Sequence, residues 1–553
     1  MNIVKIIIIF AILGTLVACD GRSKIDKLGL EITDPRLAQC TNQLVKRENI
    51  KAIEEITELH CSASYSSAPA SIIRPESDGP GGYQSIPVKN IDGLEKLTNL
   101  EVLDLSTNLL ENIDLSPFSK LHTVNLATNF IQDIDLSNNT QIKSLNISHN
   151  PLTQMNLTGL DKLQYLAIAG KHSFGDDAIF SQGHAALEGL TPEDFYADIF
   201  IEGHSTITAL NTLMAMNRSA VISDFSSYTL LESINVYNSS YRDLDLAANK
   251  NIKTVYASGN PLEYISLHDN AALEELKINQ CNLTELPQSL FGNARLIEAR
   301  NNKLTQVELT DPDNIVEKLY LSYNMLESIN ISHQNSLREL HLDHNSLSDL
   351  DITGLPNLNI LNIENNNLTN LISTSNSSNN TTLQKLNASG NSIKQPDLSN
   401  LIGLQELRLS EATNAETMDF SNFSNLTLLD IGANPSIKSL ILPRESKLRS
   451  LDVADCQLAD LDITQQLELN VLNAKNNNLT SLDITESKSL LVLYLDNNNI
   501  TQLDTPPTTE LFRLTLSVCY NRNFQDANRD DLMQAFPVVA FPNHLPYGTG
   551  GCN

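Results

Sequence analysis

The chain has 553 residues, and 66 Asp and Glu against 37 Lys and Arg leave a formal net charge of −29. No basic stripe is present to neutralise phosphates, so nucleic acid is excluded as a partner class. A chain of this length ordinarily divides into several globular domains, unless it grows in one dimension from repeats.

The chain opens Met1-Asn2-Ile3-Val4-Lys5 and continues in an apolar run from Ile6 to Ala18. That run is shorter than the roughly 17–25 residues that span a bilayer, and it has the build of a signal peptide, residues 1–18. Its end, Leu16-Val17-Ala18-Cys19, resembles a bacterial lipobox. The resemblance implies cleavage before Cys19, a lipid on that cysteine, and attachment to a membrane of the bacterial cell envelope. Residues 19–34 read as a tether. From Pro35 to Thr57 the apolar positions Leu37, Leu44, Ile50, Ile53 and Ile56 predict one or two short helices, followed by Glu58-Leu59-His60-Cys61. This stretch resembles the N-terminal cap of internalin-like bacterial leucine-rich-repeat proteins. The cap with its loop covers residues 35–90, of which 62–85 are rich in Ser, Pro, Ala and Gly.

Leu100 to Leu110 is one copy of L-x-x-L-x-L-x-x-N-x-L, which then returns about every 21 residues, the signature of a solenoid. Asn108, Asn129, Asn150, Asn260, Asn302, Asn324, Asn345, Asn366, Asn391, Asn434, Asn477 and Asn498 mark the register. A side-chain amide both donates and accepts, so Asn at one fixed position can satisfy the buried peptide groups where each coil turns. Cys281, Cys456 and Cys519 read in the same register, with Cys281 and Cys456 as structural members of that ladder rather than reactive thiols. Leu103 and Leu105 alternate with Val102, Asp104 and Ser106, which places the leucines inside a strand and the others on its exposed face.

A second L-x-x-L-x-L follows within most copies, as in Leu110-x-x-Ile113-Asp114-Leu115. The sequence thereby resembles bacterial leucine-rich repeats with nested half-repeats. The fold expected is a leucine-rich-repeat solenoid: a parallel β-strand stack with a mostly extended returning side, capped at both ends. The array covers residues 91–519, with an irregular insertion at about 170–208, and 520–553 fold over its open end. The period gives about eighteen coils, because each repeat is one unit of the stack. Leu210-x-x-Leu213 reads as a degenerate coil, and the final coil as Leu511-x-x-Leu514-Thr515-Leu516.

Cysteine arithmetic agrees with export. If Cys19 carries lipid and Cys281 and Cys456 are ladder residues, Cys40 and Cys61 remain for a cap disulfide. Cys519 and Cys552 are the candidates for a pair at the other end.

No catalytic constellation, cofactor motif or metal motif is visible, and no enzyme activity is expected. His184 and His204 in the insertion have no evident catalytic partners. His341 and Asp343 share a strand face, but a third ligand is not evident. The acidic column Asp114, Asp135, Asp245, Asp351, Asp462 and Asp483 reads as a solvated return face, since isolated carboxylates make poor cation cages. Most central residues of the L-x-L motifs are small and polar. The run Tyr256, Lys277, Glu298, Tyr320 and His341 differs, with Tyr237, Arg300 and Asp343 one column across. Tyr and Arg are the material of binding hot spots. The function expected is binding of a protein or surface glycan through this face; a structural spacer in the envelope is the alternative, and an enzyme using the insertion a remote one. Oligomeric state is not legible.

Overall fold

The computed structural model describes residues 24–62, 87–170, 199–218, 222–267, 272–287, 290–352, 354–370, 382–444, 446–506 and 514–521. The signal segment, Cys19, most of the loop 62–85, most of the insertion with His184, and nearly all of the C-terminal cap with Cys552 lie outside the described residues. The chain forms two compact units that divide after Leu273.

The first unit begins with two helices, Lys24–Lys27 and Pro35–Arg47. Asp34 caps the second: its Oδ1 accepts from the backbone N–H groups of Arg36 and Leu37, both at 2.9 Å, and Pro35 fits the first helical turn. Leu37, Thr41 and Val45, four residues apart, form the buried stripe of that helix. A Cys40–Cys61 disulfide, with Cα atoms 5.9 Å apart, ties the helix to the first strand. That strand, Glu58–His60, starts a parallel front sheet that continues through Val102–Asp104, Thr123–Asn125, Ser144–Asn146, Tyr165–Ala167, Thr212–Met214, Ser233–Asn235 and Thr254–Tyr256.

The insertion is shorter than its expected limits. Phe200–Glu202 is a return strand paired with Gln154–Asn156, and Thr212–Met214 is a full front strand. Ala215 is buried after that strand, as Ala257, Ala299, Ala388 and Ala474 are after theirs.

The second unit repeats the design. Its parallel front sheet runs Glu275–Lys277, Leu296–Glu298, Lys318–Tyr320, Glu339–His341, Ile360–Asn362, Lys385–Asn387, Glu406–Arg408, Leu428–Asp430, Ser450–Asp452, Val471–Asn473, Val492–Tyr494 and Thr515–Ser517. Short strand pairs such as Gln306–Glu308 with Ser328–Asn330 and Ser481–Asp483 with Gln502–Asp504 line the return, and the described residues of this unit contain no α-helix. In both units the middle residue of a front strand is buried, and in most strands its neighbours are half-buried, as Leu103 between Val102 and Asp104. Both units are parallel β-solenoids.

Amide side chains hold the coils together. Asn129 Nδ2 donates to the Leu105 carbonyl of the preceding coil at 2.9 Å and to its own turn at Leu126, 3.0 Å, while its Oδ1 accepts from the Leu110 N–H at 3.1 Å. Asn108, Asn150, Asn260, Asn302, Asn324, Asn345, Asn366, Asn391, Asn434, Asn477 and Asn498 each donate to the preceding coil and to their own turn. Cys281 and Cys456 are buried thiols within this ladder, and neither forms a disulfide. Ser239 takes the slot in its own coil, with Oγ 2.8 Å from the Ala215 carbonyl.

The expected register of the last coil is corrected. Leu516, not Leu514, pairs with Leu493, and Asn521 takes the ladder slot by donating to the Leu495 carbonyl at 2.9 Å. Cys519 therefore stands two residues before the ladder. It is disulfide-bonded, and the Cys552 end of the expected pair lies outside the described residues.

Candidate ligand-binding face

The Asn and Asp residues that fill the third position of many front strands have a local task. Their Oδ1 accepts the N–H two residues ahead and shapes the turn after the strand. Asp104 does so for Ser106 at 3.0 Å, Asn146 for Ser148 at 3.2 Å, Asn362 for Glu364 at 3.2 Å and Asp452 for Ala454 at 3.0 Å. The return-side acids do the same: Asp114, Asp135, Asp462 and Asp483 accept from Ser116, Ser137, Thr464 and Thr485 at 2.9, 2.9, 3.0 and 2.9 Å. Hydrogen bonds from these same residues hold the four carboxyls below their ordinary range. The acidic column is thus a set of turn caps.

Tyr320 and His341 give up that cap. They stand on adjacent strands of the second unit and their ring centroids are 4.7 Å apart. The Arg300 guanidinium lies over the other side of the row, 4.4 Å from the Tyr320 centroid. The Tyr320 hydroxyl donates to Glu339 at 2.7 Å, and Lys318 holds the same carboxylate at 2.7 Å. Burial, with the bond to Glu339 behind it, pushes the Tyr320 hydroxyl up to about 12. Burial works to raise Glu339, but Lys318 and the Tyr320 hydroxyl outweigh it and its carboxyl sits below the usual value. Burial, then the positive charge of Arg300, lowers His341 and favours its neutral form. Asp343 is buried and accepts from Ser322 at 2.6 Å and Asn362 at 2.9 Å. Lys277 pairs with Glu298 at 3.4 Å.

Beside this row runs a second one that the L-x-L pattern does not reveal. Tyr323 and His344 stack with centroids 4.2 Å apart and an interplanar angle of 13°. Tyr323 is 51% exposed and Met325 50% exposed. Both stacked residues occupy the slot just before the ladder Asn, at φ values of 57° and 55°. That left-handed slot recurs along the array and is filled elsewhere by Gly259, Gly390 and several Asn, but also by Thr107, Thr128, His149, Gln280, Ala433, Asp455 and Tyr520. A side chain with a Cβ is less comfortable there than Gly or Asn. What distinguishes Tyr323 and His344 is the stack of their rings at an exposed edge, which is not legible without the backbone.

Tyr237 and Tyr256 belong to the first unit and Lys277, Glu298, Arg300, Tyr320, His341 and Asp343 to the second. Tyr237 is exposed. His341, Asp343 and His344 have separate partners, and no group of three or more metal-ligating side chains converges among the described residues. His204 lies in the first unit with its Nδ1 3.1 Å from the Tyr228 hydroxyl, which reaches the His204 carbonyl at the same distance. Arg218 is a buried residue that no sequence motif marks. It fills the ladder slot after Thr212–Met214 and reaches the carbonyls of Ile168, Leu152 and Asn150 at 2.8, 3.3 and 2.7 Å. Burial lowers its guanidinium to about 10.

Stacked parallel strands, a returning extended side and an asparagine ladder define a leucine-rich-repeat solenoid. The family described as Leucine Rich Repeat matches residues 336–358, the coil that carries His341 and Asn345. Among solved structures, a leucine-rich-repeat protein of Leptospira interrogans is 18% identical with a TM-score of 0.51, over 76% of this chain and 95% of that one. YopM from Yersinia enterocolitica is 16% identical with a TM-score of 0.49, over 92% and 94%. The functional domain of InlJ from Listeria monocytogenes, described as including a cysteine ladder, is 17% identical with a TM-score of 0.35, over 87% and 76%. At these identities the likeness is one of fold. No curated protein matches the chain in sequence.

Proposed function

We propose that this chain is an exported bacterial envelope protein, lipid-anchored at Cys19, that binds another protein or a surface glycan through the front face of its second unit. The observation that carries the reading is the prestacked row Arg300–Tyr320–His341 with Tyr323, His344 and Met325 along its edge. Asn and Asp cap the strand turns over much of the rest of the face. Where Tyr and His replace them, the local turn gains nothing and the surface gains rigid aromatic area, which binds at low entropic cost. The lipobox-like Leu16-Val17-Ala18-Cys19 supports anchoring. The Cys40–Cys61 disulfide supports an oxidising compartment. The capped Asn and Asp runs favour a spacer role for the rest of the face.

Protease shaving of intact and lysed cells, with immunoblotting, tests the location. Cleavage in intact cells places the solenoid on the outside and makes external proteins and glycans its ligands. Protection until lysis places it in the periplasm, with envelope partners. Recovery of the chain in the soluble fraction, unlabelled by a palmitate analogue, would refute the anchor.

A further inference from the structure

We propose that Arg300 is the specificity-determining residue of this face and that it takes a carboxylate of the ligand. The inference rests on the binding reading above and names the chemistry of its anchor point. Lysines on this face have their charges answered one strand away: Lys277 by Glu298, Lys318 by Glu339, Lys385 by Glu406 and Lys475 by Asp496, at 3.4, 2.7, 2.6 and 3.1 Å. Arg300 breaks that pattern. Among the described residues its guanidinium has neither an ion pair nor a side-chain hydrogen bond, and its Nε is buried without an acceptor. Its contact is the Tyr320 ring at 4.4 Å.

The carboxylates nearby are already committed. Glu298 is held by Lys277 and by Asn279 at 3.1 Å, Glu339 by Lys318 and Tyr320, and Asp343 by Ser322 and Asn362. Stacking on Tyr320 fixes the guanidinium plane, and the Glu339 bond fixes Tyr320, so the fork is oriented before a ligand arrives. A guanidinium fork matches a planar two-oxygen anion. A singly charged carboxylate suits it better than a doubly charged phosphate, because three carboxylates surround the position and repel added negative charge. The carboxylate can come from an acidic protein side chain or from an acidic sugar.

The test uses the purified full chain labelled at arginine Nε, with the Arg300 resonance assigned by its loss in R300K. Sodium acetate is titrated against sodium chloride at equal ionic strength. The expected result is a saturable shift of the Arg300 Nε–H signal with acetate and none with chloride. A glutamate-containing peptide and trigalacturonate are then compared; tighter binding of the peptide assigns the carboxylate to a protein partner, tighter binding of trigalacturonate to a glycan. R300K, which keeps the charge and loses the fork, is expected to weaken the preferred probe about tenfold or more, with R300Q as a second variant and the melting point as the folding control. An Arg300 signal that moves no more than those of the other arginines, or binding unchanged in both folded variants, overturns the proposal. If Arg300 is silent while the Tyr323 edge still contacts a partner in cells, the carboxylate is wrong and the binding face stands.

Discussion

At the scale of single residues, structural and binding roles are separated by what each side chain gives the backbone. Asn129 is buried and satisfies two carbonyls and one N–H. Asn129→Ala is expected to cost about 1–3 kcal/mol, because those groups stay buried without partners; chemical denaturation measures it, and a wild-type midpoint would deny the ladder its stabilising role. Tyr323 gives the backbone nothing and adopts φ 57°. Tyr323→Asn is expected to raise stability by up to about 1 kcal/mol through relief of left-handed strain while weakening ligand binding. A less stable variant in thermal melts would mean the aromatic edge supports the fold. Asp452 carries a pH-dependent liability. Burial, then Asp430 and Asp455, raises its carboxyl above the ordinary value. The folded state therefore binds this proton more readily than the unfolded state. The associated stability is present at low pH and is lost as pH rises through the raised value. Asp452→Asn is expected to be more stable than wild type near pH 7, with the difference shrinking towards about pH 4. The Asn473 Oδ1, buried without a partner, can turn to accept from the new amide. Parallel melting curves of the two proteins across that range would contradict this.

At the scale of elements, the cap helix and first strand show how much a short stretch of sequence can specify. Pro35 and Asp34 start the helix, and Cys40 fastens it to Cys61 beside Glu58–His60. The double replacement Cys40→Ser and Cys61→Ser is expected to lower stability by about 2–4 kcal/mol, the usual range for closing a loop of this size. Denaturation with and without reductant reads it, and insensitivity of the wild type to reductant would deny the bond a stabilising role. Front strands were legible because period two and the Asn spacing repeat the same physical demand in each coil. The last coil misled because Leu514 and Leu516 mimic the motif one step early, whereas Asn521 decides the register through its reach to Leu495. Return-side bridges such as Asn139 to Leu115 and Gln334 to Leu309 went unread because different amides at uneven spacing fill the same role. Arg218 was hidden because a charged residue in a ladder slot has no motif.

At the scale of the whole molecule, composition and period foretold a β-solenoid assembled from one repeated coil, and the strand alternation placed Arg300, Tyr320 and His341 on one face. Neither foretold Tyr323, His344 and Met325, whose place on the edge depends on backbone angles. That edge and the adjoining row are where the ligand is expected to dock. Photocrosslinking in the cells that make the protein tests this whatever the ligand is. A benzophenone side chain is placed at position 323 or 325, with controls at positions 125 and 430, where Asn and Asp cap the turn after their strands. Higher-mass adducts are expected on irradiation from 323 and 325, and weak or absent adducts from 125 and 430. Adducts of equal strength from all four positions, or from the controls alone, would overturn the assignment of the binding face.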